Sequence, residues 1–147
     1  MYLLDTNVVS ESRKLATGRA DPNVVAWMFA TEPALTYLSA ITLFELEHGV
    51  LLMERRDPSQ GAMLRRWLIE TVHPAFEGRM LAMSAEVATQ CARLHVPDPR
   101  SERDAWIAAT ALVHDMTVVT RNVDDFVGTG VSLVNPWEEP DVAISHD

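Results

Sequence analysis

A single cysteine, Cys91, rules out an internal disulfide and any metal site built from several thiolates. A single lysine, Lys14, leaves arginine to carry nearly all the positive charge, and 12 basic against 21 acidic residues give a net charge of −9. Such a chain has no basic surplus for gripping nucleic-acid phosphates non-specifically. No uninterrupted apolar run reaches the length of a membrane-crossing helix. The opening Met-Tyr-Leu-Leu-Asp lacks the basic start and apolar stretch of a secretory signal. No glycine-rich phosphate loop is present, which argues against nucleotide-driven chemistry. His48, His73, His95, His114 and His146 show no ligand spacing. These absences predict a cytoplasmic protein with no membrane segment.

What is present suffices for a core: 48% of the 147 residues are hydrophobic and 22% are charged. That length fits one domain of about 100–200 residues. Short apolar runs alternate with longer amphipathic stretches, the pattern of an α/β fold. Strands are expected at Tyr2–Leu4, Leu35–Ser39, Arg79–Met83, Thr117–Thr120 and Val131–Val134. A helix is expected at Pro22–Ala30, with Asp21 as its cap and proline in the first turn. Leu43, Leu46, Val50 and Met53 recur at helical spacing and place another over Thr42–Met53. Asp57-Pro58 breaks the chain, and Ser59–Thr71 resumes as a helix with Arg65 and Arg66 outward. Ser84–His95 carries Val87, Cys91 and Leu94 as its apolar stripe, and the alanine-rich Ser101–His114 suits tight packing on a sheet. The tail from Glu138 to Asp147 is acidic and expected to fray.

The carboxylates carry the chemistry, and each has a structural alternative. Asp5 ends the first strand, where parallel α/β sheets place their ligands, yet Asp5, Thr6 or Asn7 also suits a helix cap. Glu45 stands three residues after Thr42, a capping-box spacing that favours a structural role, and Glu47 is expected to be solvated. Gly49, one turn on, leaves room beside Glu45. Asp104 lies in a second capping-box pattern, Ser101-Glu102-Arg103-Asp104. Its neighbours Ala108 and Ala111 demand close packing, a costly place for a carboxylate without a cation, so a functional role is favoured. Asn122, Asp124 and Asp125 follow the strand at Thr117–Thr120 and suit either a turn or a site. Oxygen donors with so few histidines and one cysteine fit Mg²⁺ or Mn²⁺, not zinc. One or two such ions generate hydroxide, orient a phosphate and stabilise a leaving oxygen.

Several ordered motifs resemble the PIN-domain ribonuclease toxins of the VapC family, especially the FitB-like branch. They are Leu3-Leu4-Asp5-Thr6-Asn7-Val8-Val9-Ser10-Glu11, Tyr37 to Thr42 with Glu45-Leu46 and Gly49-Val50, and Asp104 to Ala111. Thr120-Arg121-Asn122 with Asp125-Phe126 and Asn135-Pro136-Trp137 complete the set. The resemblance implies a three-layer α/β/α PIN domain over residues 1–137, with a four- to five-stranded parallel sheet. It implies a Mg²⁺-dependent endoribonuclease, the toxin of a type II toxin–antitoxin pair, with Asp5, Glu45, Asp104 and Asp125 as catalytic acids. By the same resemblance, Asp5 and Asp104 would be the foremost metal ligands, joined by Glu45 and Asp125, with Thr6, Asn7, Thr42, Thr120, Asn122 and Asp124 as supporting positions. Some relatives carry aspartate where this chain has Asn122, and others place an acid just before the phenylalanine, as Asp125 does here.

The same resemblance implies a VapB- or FitA-like antitoxin whose tail blocks the acidic groove, its arginine pairing with the carboxylates in place of the metal. RNA is the implied substrate, and DNA is reached only through the antitoxin. A homodimer is implied too, with contacts around Pro22–Ala30 and Thr42–Met53. A haloacid-dehalogenase-type phosphatase needs an aspartate where Asn7 stands and a late lysine. A receiver domain needs paired acids after its first strand and also a late lysine. Both are disfavoured. The remaining alternative is a weakly active PIN protein acting mainly as an antitoxin partner in an autoregulatory repressor complex.

Overall fold

The structure is a computed structural model that describes residues 1–139; the tail expected to fray lies, from residue 140 onward, outside the described residues. Strand β1 (Tyr2–Leu4) leads into α1 (Thr6–Ser12), a 3-10 turn at Arg13–Thr17 and α2 (Pro22–Ala30). Then come β2 (Thr36–Ser39), α3 (Ala40–Arg56), α4 (Pro58–Trp67), a π turn at Leu68–Val72 and the short α5 (His73–Ala75). The chain closes with β3 (Met80–Leu81), α6 (Ala85–Leu94), α7 (Glu102–His114), β4 (Thr117–Val119) and β5 (Ser132–Val134).

All five strands pair in parallel in the order β3-β2-β1-β4-β5. Parallel strands buried on both faces must be apolar at consecutive positions, which is how these read. Leu4, Leu38 and Val119 face one side with Val8 and Val9 of α1 and Leu46 and Val50 of α3. Leu3 and Val118 face the other, against Ile107, Ala108 and Ala111 of α7. The result is the three-layer α/β/α arrangement expected. Val87 and Cys91 of α6 pack in turn on Ala105 and Ala109. Among the described residues, no helix is long and apolar enough to cross a membrane.

Several expectations are corrected. Helix α3 starts at Ala40, not Thr42, because the Ser39 side chain accepts the Thr42 backbone amide at 3.2 Å and caps it. Strand β3 spans two residues, not Arg79–Met83: Met80 and Leu81 pair with Leu38 and Ser39, and β2 gives way to α3 directly after Ser39. The helix expected over Ser59–Thr71 is α-helical only to Trp67 and then widens into the π turn. Arg65 is half-buried and not outward, and Glu47, whose side chain is solvent-exposed as expected, is also ion-paired. The break at Asp57-Pro58 folds α4 back along α3, so Arg65 lies 2.5 Å from Glu47 and 3.3 Å from Glu54. Arg66 is exposed, as expected.

Gly61 makes that hairpin possible. A Cβ there would stand 2.4 Å from the Glu54 Cα and 2.6 Å from its nitrogen, so the two backbones touch. Gly61→Ala should push the helices apart and lower stability by about 1–3 kcal/mol, read as a fall in the urea midpoint. An unchanged midpoint would contradict the close approach.

Glu11, only 9% exposed, ties α1 to the start of α2. Its carboxylate accepts the Asp21 backbone amide at 2.8 Å and the Lys14 ammonium at 3.0 Å. The Asp21 amide is the main cause holding Glu11 below the ordinary carboxylate value; burial opposes it and Lys14 assists. A depressed folded pKa gives stability that is present above the unfolded value and lost as pH falls through the folded one. Glu11→Gln should therefore melt below wild type at pH 7, with the gap closing as pH drops below about 4. A gap that stays constant on acidification would refute this.

Candidate active site

The sheet order fixes where a site forms. From β1 the chain moves to β2 and β3 on one side, then returns to β4 on the other. The carboxyl end of β1 therefore borders a topological switch point, the usual crevice of open parallel sheets. The register pairs Leu4 with Val119, so the residues that follow them, Asp5 and Thr120, stand side by side.

Asp5 is fully buried. Its Oδ1 accepts the Thr6 amide at 2.7 Å, so the capping alternative is real, but this leaves the carboxylate with further capacity. Oδ2 accepts the Thr120 hydroxyl at 2.7 Å. That hydroxyl in turn accepts the Asn122 amide at 3.0 Å, and the Asn7 side-chain amide lies 3.4 Å away. Asn7 reaches the Arg121 amide as well, bridging the ends of β1 and β4.

With Ser39 as the cap of α3, Glu45 is released from the capping role its spacing suggested. It lies in the second turn, and its Oε1 accepts the Thr6 hydroxyl. The Thr42 hydroxyl is 3.4 Å from that of Thr6 and 3.4 Å from that of Ser39. Gly49 is exposed, with open space where a Cβ would sit.

Ser101 caps α7 by accepting the Asp104 amide at 3.5 Å, whereas the Asp104 carboxylate turns to the pocket. Ala108 and Ala111 below it are completely buried.

The residue that gathers these acids is Arg103, which the sequence reading passed over. Its Nη2 pairs with Asp5, its Nε lies 2.5 Å from Glu45, and its Nη1 lies 2.7 Å from Asp104. Burial pulls the guanidinium's pKa down, but the hydrogen bond to Glu45 and the charge of Asp5 outweigh it and hold the group above the ordinary arginine value. A signal was present in the sequence. An arginine in the first turn of a helix opposes the macrodipole and calls for acids nearby.

Asp124 and Asp125 sit on the 3-10 turn Val123–Phe126, where both are exposed. The Asp125 amide donates to the Asn122 carbonyl at 3.1 Å. Neither carboxylate takes part in the ion pairs that join Asp5, Glu45 and Asp104.

The donors fit a hard divalent cation in kind: three carboxylates from three parts of the chain already converge on one positive charge. Their charges sum to −3, and one guanidinium returns only +1. Carboxylates gathered round one guanidinium repel one another, and the guanidinium offsets that repulsion only in part. Among the described residues, however, no three His, Cys, Asp or Glu side chains stand in a ready-made metal cage. The carboxylates are spread to suit a guanidinium.

Comparison with known proteins agrees with this architecture. The PIN domain family profile matches residues 2–129. Toxin FitB of Neisseria gonorrhoeae is 37% identical over 147 residues, covering 95% of this chain and 100% of its own. VapC ribonuclease Y4jK of Sinorhizobium fredii is 36% identical over 143 residues, with 94% and 99% covered. The structure of FitAB bound to an IR36 DNA fragment superposes with a TM-score of 0.86 at 33% identity, covering 97% of this chain and 99% of that one. This chain belongs to the PIN-domain family, among the VapC and FitB toxins.

Proposed function

We propose that the protein is a metal-dependent endoribonuclease, the toxin of a type II toxin–antitoxin pair. The convergence of Asp5, Glu45 and Asp104 at the switch point of the sheet carries this reading. Relatives described as a toxin and a ribonuclease support it. Asp5 and Asp104 would hold Mg²⁺, or Mn²⁺, with Glu45 beside them. When bound, such an ion lowers the pKa of a water and anchors the scissile phosphate.

The protein's own contribution is positional. Thr6 and Thr120 fix both oxygens of Asp5, so that carboxylate cannot turn away. Glu45 is steadied by Thr6 on one oxygen, and the other, held by Arg103 in this structure, would orient a water or accept its proton once the guanidinium is displaced. Asp125, or Asp124 as its substitute, would close the site from the turn after Asn122. With Asn122 neutral, any second ion would be held only weakly.

A VapB- or FitA-like antitoxin is the proposed partner, with DNA reached through it, as the DNA-bound FitAB structure supports. A basic tail would find an acidic pocket on a chain of net charge −9. A second copy of the chain is proposed to cover α2 and α3, where Phe29, Phe44, Leu51 and Leu52 are exposed. Light scattering should then give a dimer in solution, and Phe44→Asp combined with Leu51→Asp should give a monomer. A wild-type monomer would remove the dimer from the proposal.

One observation favours the quieter alternative, a partner of a DNA-binding antitoxin with little cleavage activity: a side chain of the protein already fills the pocket. Antitoxin-free protein incubated with RNA and Mg²⁺, with a chelator control, separates the two. The nuclease reading expects cleavage that the chelator abolishes and that Asp5→Asn or Asp104→Asn lowers on the order of 100-fold or more. Absence of cleavage by the wild-type protein would leave the repressor partner as the function.

A further inference from the structure

We propose that Arg103 is an internal competitor for the metal: it occupies the carboxylates in the metal-free protein and must withdraw before a divalent ion can bind. This rests on the metal-dependent reading above. Arg103 uses three different nitrogens on Asp5 Oδ1, Glu45 Oε2 and Asp104 Oδ1. The remaining oxygens of Asp5 and Glu45 are taken by Thr120 and Thr6. While the guanidinium is in place, neither residue has an uncommitted oxygen to offer. Ion and arginine cannot share the pocket in this arrangement.

The way Arg103 is held fits a group that leaves. Arg79 and Arg100 are locked to backbone carbonyls: Arg79 to Pro33 at 2.8 Å, Arg100 to Val127 at 2.9 Å and Leu94 at 3.2 Å. Among the described residues, every polar contact of the Arg103 guanidinium is to a side chain of the pocket itself, the last being the Thr6 hydroxyl at 3.4 Å. Its side chain is 32% exposed, so a path to solvent is open. Its place in the first turn of α7 gives it no help from the helix dipole. Once the carboxylates are taken by a cation of higher charge, no other polar contact among the described residues retains it.

The consequence is a pocket that stays assembled without metal but resists filling. Apparent affinity falls by the fraction of molecules in which the arginine is out. Conservative replacement should separate this from general electrostatics. Arg103→Gln removes both the charge and the fork, while Arg103→Lys keeps the charge on an ammonium that cannot meet three carboxylates at once. Arg93→Gln, at an exposed position in the last turn of α6 that takes no part in the pocket, controls for the loss of one positive charge.

The experiment is Mn²⁺ binding to the purified full chain, followed by electron paramagnetic resonance of free Mn²⁺, with melting midpoints measured with and without the ion. Arg103→Gln is expected to bind Mn²⁺ about tenfold more tightly, to melt lower without metal and to gain more on adding it. Arg103→Lys should fall between it and wild type, and Arg93→Gln should match wild type within about twofold. Equal or weaker Mn²⁺ binding by folded Arg103→Gln overturns the competition and leaves the nuclease reading standing. If the glutamine variant does not fold, unchanged affinity in Arg103→Lys does the same. Absence of Mn²⁺ binding by every variant overturns both.

Discussion

Like charges held close in a poorly hydrated pocket repel strongly, and the architecture of this protein is arranged around relieving that repulsion. Asp5 is fully buried, Asp104 is nearly so, and Glu45 reaches them from another helix. Hydrogen bonds from Thr6 and Thr120 satisfy part of the demand. They bring no charge. A cation must supply the rest, and Arg103 does so in the structure described here. The triad offers oxygen donors of the kind a hard divalent ion takes, although here they are spread around a guanidinium.

The fold makes such crowding possible. The strands are only two to four residues long, so their carboxyl ends lie a short step from both faces of the sheet. Both faces are buried in hydrophobic side chains, and a buried valine or leucine contributes about 1.5–3 kcal/mol. That burial offsets the cost of placing several acids at one edge. Alanines on α7 let the helix lie close to the sheet, which draws its first turn toward the end of β1. Had larger residues stood at Ala108 and Ala111, Asp104 would lie farther from Asp5.

An acidic protein that acts on RNA must overcome its own charge. Here the adverse acids are concentrated where a divalent ion would reverse the local sign. Under the proposed function, the same concentration would suit capture by a basic segment, so one charge cluster would serve both a metal ion and a partner's arginine. Arg103 belongs to that logic: the protein carries within its own chain the kind of group by which a partner would silence it.

The amino-acid sequence alone determined the α/β class, the strand at Tyr2–Leu4, the helix at Pro22–Ala30 with its Asp21 cap, and the order of the acidic motifs. These depend on local patterns: apolar runs, proline and cap positions, and residues adjacent in the chain. The cap of α3 was also local, yet the Thr42–Glu45 spacing pointed to the wrong residue, and the end of β2 places the cap at Ser39. The pairing of Arg65 with Glu47 and Glu54 depended on the tight turn and on Gly61, which no single helix reveals. The meeting of Asp5, Glu45 and Asp104 was foreseen through family resemblance, not through spacing. Its physical cause is the sheet order, a long-range property. Arg103 was hidden for the same reason: beside Asp104 it reads as one more charge on a helix, and only folding brings the other two carboxylates within its reach.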